Sequence, residues 1–380
     1  MSDKESAMKV SLFAIPLILL GVTQTGLAAT QEGFKRFSVS TGWLHMSSLG
    51  KAQPFRINTA VSEKMSSKVG MISGETVFNN VDQTRIDDMD PDLLYLLRPL
   101  DNPDDPNSKQ YILDALLALG EDPDVPDDFL EQVTGTAEIN GLSTWTSNAG
   151  LEVEDVDTLG LMLTYNVNEN VALQMIGGIP PKVDLKGKGQ VYAPFSASST
   201  PLGGALGNLY LKNDLLITDL DHYSTAASAR AWTPAFQVQY YFGKSGVNKF
   251  RPFVGAGFMY AYFNDIKINE GVEQDLIAAG HMIQNIYDDK AGAALEGKVS
   301  SGNMDVKVDA DDAFAPILTA GFTYDFKGNW FATASVSYAK LDNIATITVI
   351  NQNSGTELIR AKTKIEIDPL ITYVGVGYRF

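Results

Sequence analysis

The carboxy-terminal stretch, residues 370–380, reads LITYVGVGYRF. Its side chains alternate along the chain with the period of two that is typical of an extended strand. One face carries Leu370, Thr372, Val374, Val376, Tyr378 and Phe380, and the other carries Ile371, Tyr373, Gly375, Gly377 and Arg379. The first face is apolar up to the last residue, so the pattern predicts a strand whose apolar face contacts lipid.

The same alternation recurs in seven earlier stretches of the chain. The first six are residues 37–46, 159–165, 171–179, 232–242, 250–263 and 313–326. The seventh starts at 330 and continues outward through 344–349. The chain then returns through 358–367 into the terminal strand, which makes the eighth strand. Short connections at 166–170, 243–249 and 327–329 alternate with long ones. Outer-membrane barrels have this asymmetry of short periplasmic turns and long outer loops. The sequence therefore predicts an all-β fold, an eight-stranded antiparallel transmembrane β-barrel with long extracellular loops.

The composition restricts the compartment and the partners. The chain of 380 residues contains no cysteine and has a formal net charge of -17. A protein that crosses an oxidising compartment must pair its thiols or lack them, and this one lacks them. Nucleic acid is not expected as a partner, because phosphate binding requires clustered lysine and arginine. No metal-ligand cluster, phosphate-binding loop or nucleophile elbow occurs, so neither a cofactor nor a metal site is expected.

The amino terminus has the pattern of a secretory signal. Lys4 and Lys9 precede an apolar run at residues 10–20, and small residues around Ala28 form a cleavage site. We expect residues 1–28 to be a signal peptide, with Met8 as an alternative start, and residues 29–380 to be the barrel. No later stretch of about twenty apolar residues occurs, so the chain would cross a membrane only as a closed barrel.

An acidic insertion occupies residues 85–133 of the first long loop. Helical spacing after Asp105 and Pro106, and a second turn after Pro126, predict that this loop contains short helices. We expect a surface loop that folds onto the barrel rim; a cap that binds a partner or gates a ligand is the alternative. A calcium loop is a weaker alternative, because Leu93 stands where an EF-hand requires glycine.

Six blocks of sequence, taken together, resemble the OmpW family of small outer-membrane proteins, which includes the AlkL-type hydrocarbon importers. In family order they are GWLHM at 42–46, DTLGLMLTYNVNENVALQMIGGIPPK at 157–182, TPAFQVQYYFG at 233–243, KFRPFVGAGFMYAYF at 249–263, NWFATASVSYAKLD at 329–342 and ITYVGVGYRF at 371–380. The end of the chain also resembles the sorting signal of outer-membrane barrels, with Phe380, Tyr378 and Gly375 at the characteristic positions. The loops are longer than the family usually carries, so loop-dependent properties do not follow from the resemblance.

The resemblance implies a location in the outer membrane of a Gram-negative bacterium. The expected partners are outer-membrane lipid and lipopolysaccharide, small hydrophobic solutes, and the barrel assembly machinery, which would recognise Phe380. The implied function is passive uptake of small hydrophobic molecules, which enter an apolar funnel and leave sideways into the membrane.

Alternation along the strands assigns side chains to the barrel interior. An apolar set falls in the outer half and forms the predicted ligand funnel: Leu44, Met46, Met162, Ile176, Met259, Ile317, Ile371 and Tyr373. A polar set falls in the lower half and forms the predicted plug: Gln174, Gln237, Gln239, Arg251, Asp325 and Arg379. An eight-stranded barrel is just wide enough for its own side chains to fill it. We therefore expect the plug to deny a solute passage to the periplasm.

Prolines interrupt two predicted strands near the outer rim. Pro180 and Pro181 end the third strand, and Pro234 lies near the start of the fourth. Proline cannot donate to the ladder of backbone hydrogen bonds. In the OmpW family a proline at the first of these places is associated with a lateral opening, so the resemblance implies a lateral gate here. The alternative is that the strands simply end at these prolines.

Other readings of the sequence remain open. The acidic outer loops favour, as the alternative function, a structural, receptor or adhesin-like barrel. An outer-membrane enzyme would need a histidine close to a carboxylate or serine. The best candidate is His45, which stands two residues before Ser47. We expect no enzymatic activity. A soluble lipocalin-like barrel would have a polar outward face, whereas residues such as Leu161, Val254 and Val374 make the predicted outward face apolar.

Overall fold

The computed structural model describes residues 35–102, 105–119, 126 and 128–380, so the predicted signal peptide lies outside the described residues. The strands are β1 Phe37–Ser48, β2 Arg56–Thr59, β3 Met65–Lys68, β4 Pro99–Asn102, β5 Asp105–Tyr111, β6 Thr136–Asn140, β7 Thr144–Thr146, β8 Gly150–Val153, β9 Val156–Asn166, β10 Val171–Gly178, β11 Lys182–Lys188, β12 Gln190–Ser199, β13 Leu209–Asp219, β14 Ala227–Trp232, β15 Ala235–Tyr241, β16 Phe250–Ile268, β17 Met304–Ala310, β18 Ala313–Asp325, β19 Trp330–Ala339, β20 Asp342–Asn351, β21 Thr356–Glu366 and β22 Pro369–Arg379. The α-helices are α1 Gly74–Asn79, α2 Pro91–Leu97, α3 Ile112–Leu119, α4 Phe129–Thr134, α5 Glu270–Tyr287 and α6 Ala291–Leu295, with 3₁₀ turns at Gln83–Asp88, Pro201–Gly204 and Leu220–His222.

Eight strands close into an antiparallel barrel, which confirms the predicted fold class. The order of hydrogen-bonded strands is β15, β10, β9, β1, β22, β19, β18 and β16, and β16 pairs with β15 to complete the ring. The first and last barrel strands pair in register from Ser38 opposite Arg379 to Ser48 opposite Pro369. Closure removes the free edges that a sheet would otherwise present to lipid.

The outward face of the barrel is apolar. Val254, Phe258 and Val374 expose 48%, 68% and 52% of their surface. At the end with the short turns, aromatic side chains pack edge to face: Tyr240 on Phe242, Tyr324 on Phe326 and Trp330 on Tyr378, with ring centroids 5.2, 5.5 and 5.4 Å apart. Such a ring of aromatic side chains lies in the headgroup zone of a bilayer. The apolar outward face excludes a lipocalin-like soluble barrel.

The long loops are folded into sheets and helices, which we call the extracellular part (residues 49–155, 179–234, 269–312 and 340–368). One sheet has the strand order β13, β12, β6, β3, and another has the order β17, β20, β21, β2, β7. The outer end of β16 carries a third set, β14, β11 and β8. Short helices occur in the first loop as predicted, but the 18-residue α5 in the third loop was not. No helix within the described ranges combines the length and apolarity needed to cross a bilayer.

Three predicted element boundaries are wrong. The strand predicted at 232–242 is interrupted between Trp232 and Ala235, because Pro234 cannot donate to a ladder. The strand predicted to run outward from 330 stops at Ala339, and β20 begins as a separate strand at Asp342. The helix predicted after Pro106 begins only at Ile112, since β5 occupies the preceding residues.

The acidic residues near Asp90 have local structural partners. The Asp90 carboxylate accepts a hydrogen bond from the Asp92 backbone N–H at 2.8 Å, and Asp90 is the amino-terminal cap of α2. Capping of this kind satisfies a backbone donor that a helix leaves free. The start of α2 therefore explains why aspartates stand at positions 90 and 92, where a calcium loop was the weaker alternative.

Candidate functional site in the barrel interior

The eight residues of the predicted funnel all point into the barrel, and we call them the inner apolar cluster. Met162, Ile176, Met259, Ile317 and Tyr373 are between 1% and 8% exposed, and Leu44, Met46 and Ile371 are partly buried against them. The side chains pack together and fill the outer half of the interior. The alternation assigned these side chains to the interior, and the structure places them there as a buried or partly buried apolar cluster. Their role in binding a ligand stays a prediction.

Tyr373 is the floor of the inner apolar cluster. Its ring lies against two glycines: a Cβ on Gly160 would lie 3.0 Å from the ring, and a Cβ on Gly375 would lie 2.4 Å from the hydroxyl. Its hydroxyl donates to Ser40 Oγ at 3.2 Å. Glycine at these strand positions therefore makes room for one large side chain, whose polar end marks the start of the lower half.

The polar plug lies beneath Tyr373 and consists of the six predicted polar residues. Gln174 is its centre, because its Oε1 accepts from Gln237 Nε2 at 2.7 Å and from Gln239 Nε2 at 2.9 Å. Gln174 Nε2 donates in turn to Thr164 Oγ1 at 3.2 Å. All three glutamines are buried. The network ties three neighbouring strands together across the interior and places buried polar groups at this level.

Charged side chains close the periplasmic end of the plug. Arg379 forms an ion pair with Asp325 and stacks over Phe331, with its guanidinium carbon 4.4 Å from the ring centroid. Arg251 donates to the Glu169 backbone carbonyl. A polar cavity of about 20 Å³ lies between the two arginines, which is space for about one water molecule.

Tyr241 is a plug residue that sequence reasoning missed. Its hydroxyl donates to Gln239 Oε1 at 2.7 Å, its ring packs on Phe253 with centroids 5.0 Å apart, and Arg251 lies 5.1 Å from the ring centroid. Tyr241 continues the inward face of Gln237 and Gln239, so extending the alternation by one more step would have found it. The prediction considered only amides and charges.

The three predicted gate residues lie at one seam of the barrel wall, which we call the proline seam. The ladder between β10 and β15 ends at Ile176 opposite Ala235. Beyond it, β11 and β14 resume pairing at Lys182 opposite Arg230. Pro180 lies in the interruption on one side and Pro234 on the other, while the Pro181 carbonyl accepts a hydrogen bond from the Ala231 backbone N–H at 3.0 Å at the outer edge of the interruption. The sequence therefore located an interruption of the wall correctly, while the role of the prolines as a gate stays a prediction.

The proline seam adjoins the inner apolar cluster. Ile176 borders the interruption, and Met259 is the partner of Ala235 on the next strand. Gly177 lies at the interruption, and a Cβ added there would meet no atom within 4 Å. The interruption therefore lies beside the inner apolar cluster.

His45, Ser47 and Asp157 form a hydrogen-bonded cluster at the outer rim. His45 Nδ1 lies 2.8 Å from Asp157 Oδ1, and His45 Nε2 lies 3.0 Å from Ser47 Oγ, which is the order of contacts in a Ser–His–Asp triad. However, the Ser47 hydroxyl donates to Asp155 Oδ2 at 3.1 Å, and the Ser48 backbone N–H donates to Asp155 Oδ1 at 3.2 Å. A hydroxyl has one proton, and an oxyanion needs free N–H donors. The cluster therefore ties β1 to β9 without presenting an activated nucleophile.

Comparison with known proteins identifies relatives of this architecture. The carboxy-terminal residues 274–380 match the model of the OmpW family. Outer membrane protein W of Vibrio cholerae is 26% identical over 230 residues, which cover 60% of this chain and 76% of that protein.

Two solved structures resemble the chain over most of their length. The crystal structure of outer membrane protein OprG from Pseudomonas aeruginosa is 14% identical, with a TM-score of 0.45, and the match covers 91% of this chain and 96% of that one. The NMR structure of Outer Membrane Protein W of E. coli is 14% identical, with a TM-score of 0.33, and covers 92% and 100%.

Proposed function

We propose that the chain is an OmpW-type outer-membrane channel for passive uptake of small hydrophobic molecules, which leave the barrel sideways into the outer membrane; the match of residues 274–380 to the OmpW family model and the similarity to outer membrane protein W support this. The lipid-facing apolar surface already places the barrel in contact with membrane lipid. We further infer that lipopolysaccharide contacts the outer rim, and that the assembly machinery recognises Phe380, which is 64% exposed at the periplasmic end.

One observation carries the proposal: a buried apolar cluster lies directly above a hydrogen-bonded polar plug. An apolar solute gains free energy on leaving water, at about 25 cal/mol per Å² of surface. It gains nothing from replacing the hydrogen bonds of Gln174, Gln237 and Gln239, since breaking them would leave buried polar groups unpaired. The plug therefore stops the solute at the level of Tyr373.

Entry requires the inner apolar cluster to rearrange. Met162 and Met259 contribute two unbranched, flexible side chains to it, and methionine adapts readily to new neighbours. Exit requires a path through the wall at the same level. The proline seam supports this step, because the ladder is interrupted there and opening it breaks fewer backbone hydrogen bonds than opening a continuous one.

The test replaces Pro180 and Pro181 by valine and threonine and measures uptake of toluene by reconstituted vesicles. Pro316→Val is the matched control, because Pro316 also lies on an outward face near the rim, inside β18, where it is opposite Phe258 in an unbroken pairing. We expect slower uptake in the double variant and unchanged uptake in the control. Equal uptake rates in the wild-type protein, the double variant and Pro316→Val would contradict a lateral exit at the proline seam.

A second candidate function is a receptor or adhesin-like role of the extracellular part. The observation that favours it is that this part is folded, with sheets that join segments of all four long loops. Wild-type vesicles that take up no hydrophobic solute, together with binding of the wild-type protein to a cell or lipopolysaccharide surface, would favour this function over uptake.

A further inference from the structure

We propose that the extracellular part contains a second site, an apolar cavity that captures small hydrocarbon-like molecules ahead of the barrel. That the cavity binds such molecules follows from its own lining. That it serves capture rests on the proposed uptake function.

The cavity has a volume of about 60 Å³, and we call it the outer cavity. It lies between the sheet of β3, β6, β12 and β13 and the helices packed on that sheet. Its lining is aliphatic and aromatic, with side chains of the sheet on one side and of the helices on the other: Ile139, Phe195, Ala197, Leu97, Leu113 and Leu295. A natural interior has few voids larger than a water molecule, because an unfilled void costs stability in proportion to its volume.

The chemistry of the lining selects the class of ligand. Two hydroxyl side chains, Thr134 and Ser199, border the outer cavity. Thr134 Oγ1 donates to the Leu130 carbonyl at 2.8 Å, and Ser199 Oγ donates to the Thr134 carbonyl at 2.9 Å. Both donors are therefore already used within the protein. An apolar cavity of about 150 Å³ lined in this way stays dry and binds xenon or benzene. At about 60 Å³ the outer cavity fits xenon as it stands, and a larger hydrocarbon requires its aliphatic lining to move, so the ligand class is small molecules without hydrogen-bonding groups.

A second apolar cavity, the inner cavity, follows along the same strands. It has a volume of about 50 Å³ and is lined by Val191 and Ile217 of the β12–β13 pair, by α5 and by β20 and β21. Phe195 of the outer cavity and Val191 of the inner cavity are four residues apart on β12, so they lie on the same face. The small residue Ala193, fully buried, lies between them. The two cavities therefore border the same face of β12, on either side of Ala193.

An apolar surface continues from the inner cavity to the barrel. Ile359 and Ala361 of β21 line the inner cavity, and Ile365 and Ile367 follow on the same face of the chain. Thr363 lies between these two pairs, and its buried hydroxyl is used within the protein, since it donates to the Gln53 carbonyl at 2.8 Å. The four apolar residues belong to one buried core that also contains the inner apolar cluster. A hydrocarbon bound in the outer cavity can therefore approach the barrel interior without returning to water.

The binding test uses xenon on the purified full-length barrel in detergent micelles, observed by ¹²⁹Xe NMR and in xenon-pressurised crystals. Ala197→Val adds two methyl groups at the outer cavity, and Ala361→Val adds the same two groups at the inner cavity as the matched control. We expect xenon in the outer cavity of the wild-type protein and of Ala361→Val, and its loss in Ala197→Val. Ala137→Val, which lines the outer cavity from β6, replaces Ala197→Val if that variant does not fold. Absence of xenon from the wild-type outer cavity overturns the proposal.

The capture test compares toluene uptake by wild-type and Ala197→Val vesicles at low and at saturating toluene. Slower uptake of the variant at low toluene alone supports capture, because the filled cavity lowers the local supply and leaves the maximal rate unchanged. Equal uptake at both concentrations overturns the capture role and leaves the proposed function standing. Xenon binding in a wild-type protein that transports no toluene overturns the proposed function and the capture role together, while the apolar site stands.

Discussion

The barrel and the extracellular part are built from pairings of very different range. In the barrel, β18 and β19 pair across a turn of four residues, and every barrel strand pairs with the next barrel strand along the chain, apart from the closure of β1 on β22. In the extracellular part, β2 pairs with β21 and with β7, so that Arg56 lies opposite both Lys362 and Thr146. The comparison teaches that alternation and short turns are sufficient to define the barrel. The outer sheets depend on contacts that no local pattern contains.

The two regions also face different solvents, and this difference can be tested with residues of similar exposure. Val254 of β16 is 48% exposed on the lipid side, and Leu216 of β13 is 55% exposed on the extracellular side. We expect Val254→Arg to destabilise the folded barrel in a bilayer by about 1–3 kcal/mol, because an arginine on the lipid-facing surface between the interface and the midplane must be desolvated. Urea unfolding in lipid vesicles measures the change in the free energy of unfolding.

Leu216→Arg is the matched control for that substitution. An exposed change in water alters stability by no more than about 0.5 kcal/mol. Equal losses in the two variants would contradict the assignment of Val254 to lipid and of Leu216 to water.

Breaking an ion pair should also destabilise the barrel more than the extracellular part. Arg379 and Asp325 have side chains that are only 15% and 19% exposed, whereas Lys68 and Glu131 are 54% and 46% exposed. Asp325→Asn leaves Arg379 unpaired beside Arg251, and we expect a loss of about 1–3 kcal/mol, below the 3–5 kcal/mol typical of fully buried pairs. Glu131→Gln should cost less than about 1 kcal/mol.

Denaturant unfolding of both variants in micelles measures this difference, and planar-bilayer conductance shows whether the plug has loosened. Asp325→Asn should raise the leak of small ions, since the plug loses its carboxylate. A stable Asp325→Asn barrel with unchanged conductance would show that the pair does not hold the plug.

The junction between the regions depends on Asp368. Its carboxylate pairs with Lys340 and accepts the Leu341 backbone N–H at 3.1 Å, and its φ is +40°. Asp368→Ala should destabilise the junction by about 1–2 kcal/mol, because the buried Leu341 N–H loses an acceptor. Hydrogen exchange should then speed up in β20 and β21 but not in β19. Asp368→Asn keeps the acceptor and serves as control; faster exchange throughout the barrel would show that the junction does not separate the regions.

The sequence predicted correctly which face of the barrel a side chain occupies, because the faces of a strand alternate from one residue to the next. Leu161, Met259 and Gln239 were assigned to the correct faces of the barrel because alternation is local. It was uninformative where a strand is interrupted by contacts from elsewhere. The break after Ala339 depends on Asp368, which is 29 positions further along the chain, so the local alternation of residues does not predict the break.

The extracellular part and the cavities were beyond sequence reasoning for the same reason. The outer cavity joins Phe195 to Leu97 and Leu295, which are separated by about one hundred residues in each direction. The sequence could predict helices in the acidic insertion from caps and spacing. It could not predict that they cover a sheet, because the strands of that sheet come from two different loops.

The smallest effect we expect is a pH dependence confined to the extracellular part, at His281 of α5. Burial lowers the pKa of His281, and its Nδ1 accepts the Ser300 backbone N–H at 3.2 Å, so the folded state requires the neutral imidazole. As the pH falls below the ordinary histidine pKa of about 6.5, the unfolded chain takes up a proton before the folded one does. Stability is therefore full above this pH and declines as the pH falls towards the lowered folded pKa.

Hydrogen exchange of the Ser300 amide, compared at pH 7.5 and pH 5.5 after correction for intrinsic rates, measures this effect. We expect lower protection at the acidic pH in the wild-type protein. His281→Asn retains an acceptor that cannot be protonated in this range, so its protection at Ser300 should not depend on pH. The amides of β18 and β19 should respond equally in both proteins, because histidine is absent from these barrel strands. A pH response of the same size in His281→Asn would assign the effect to other groups of the extracellular part.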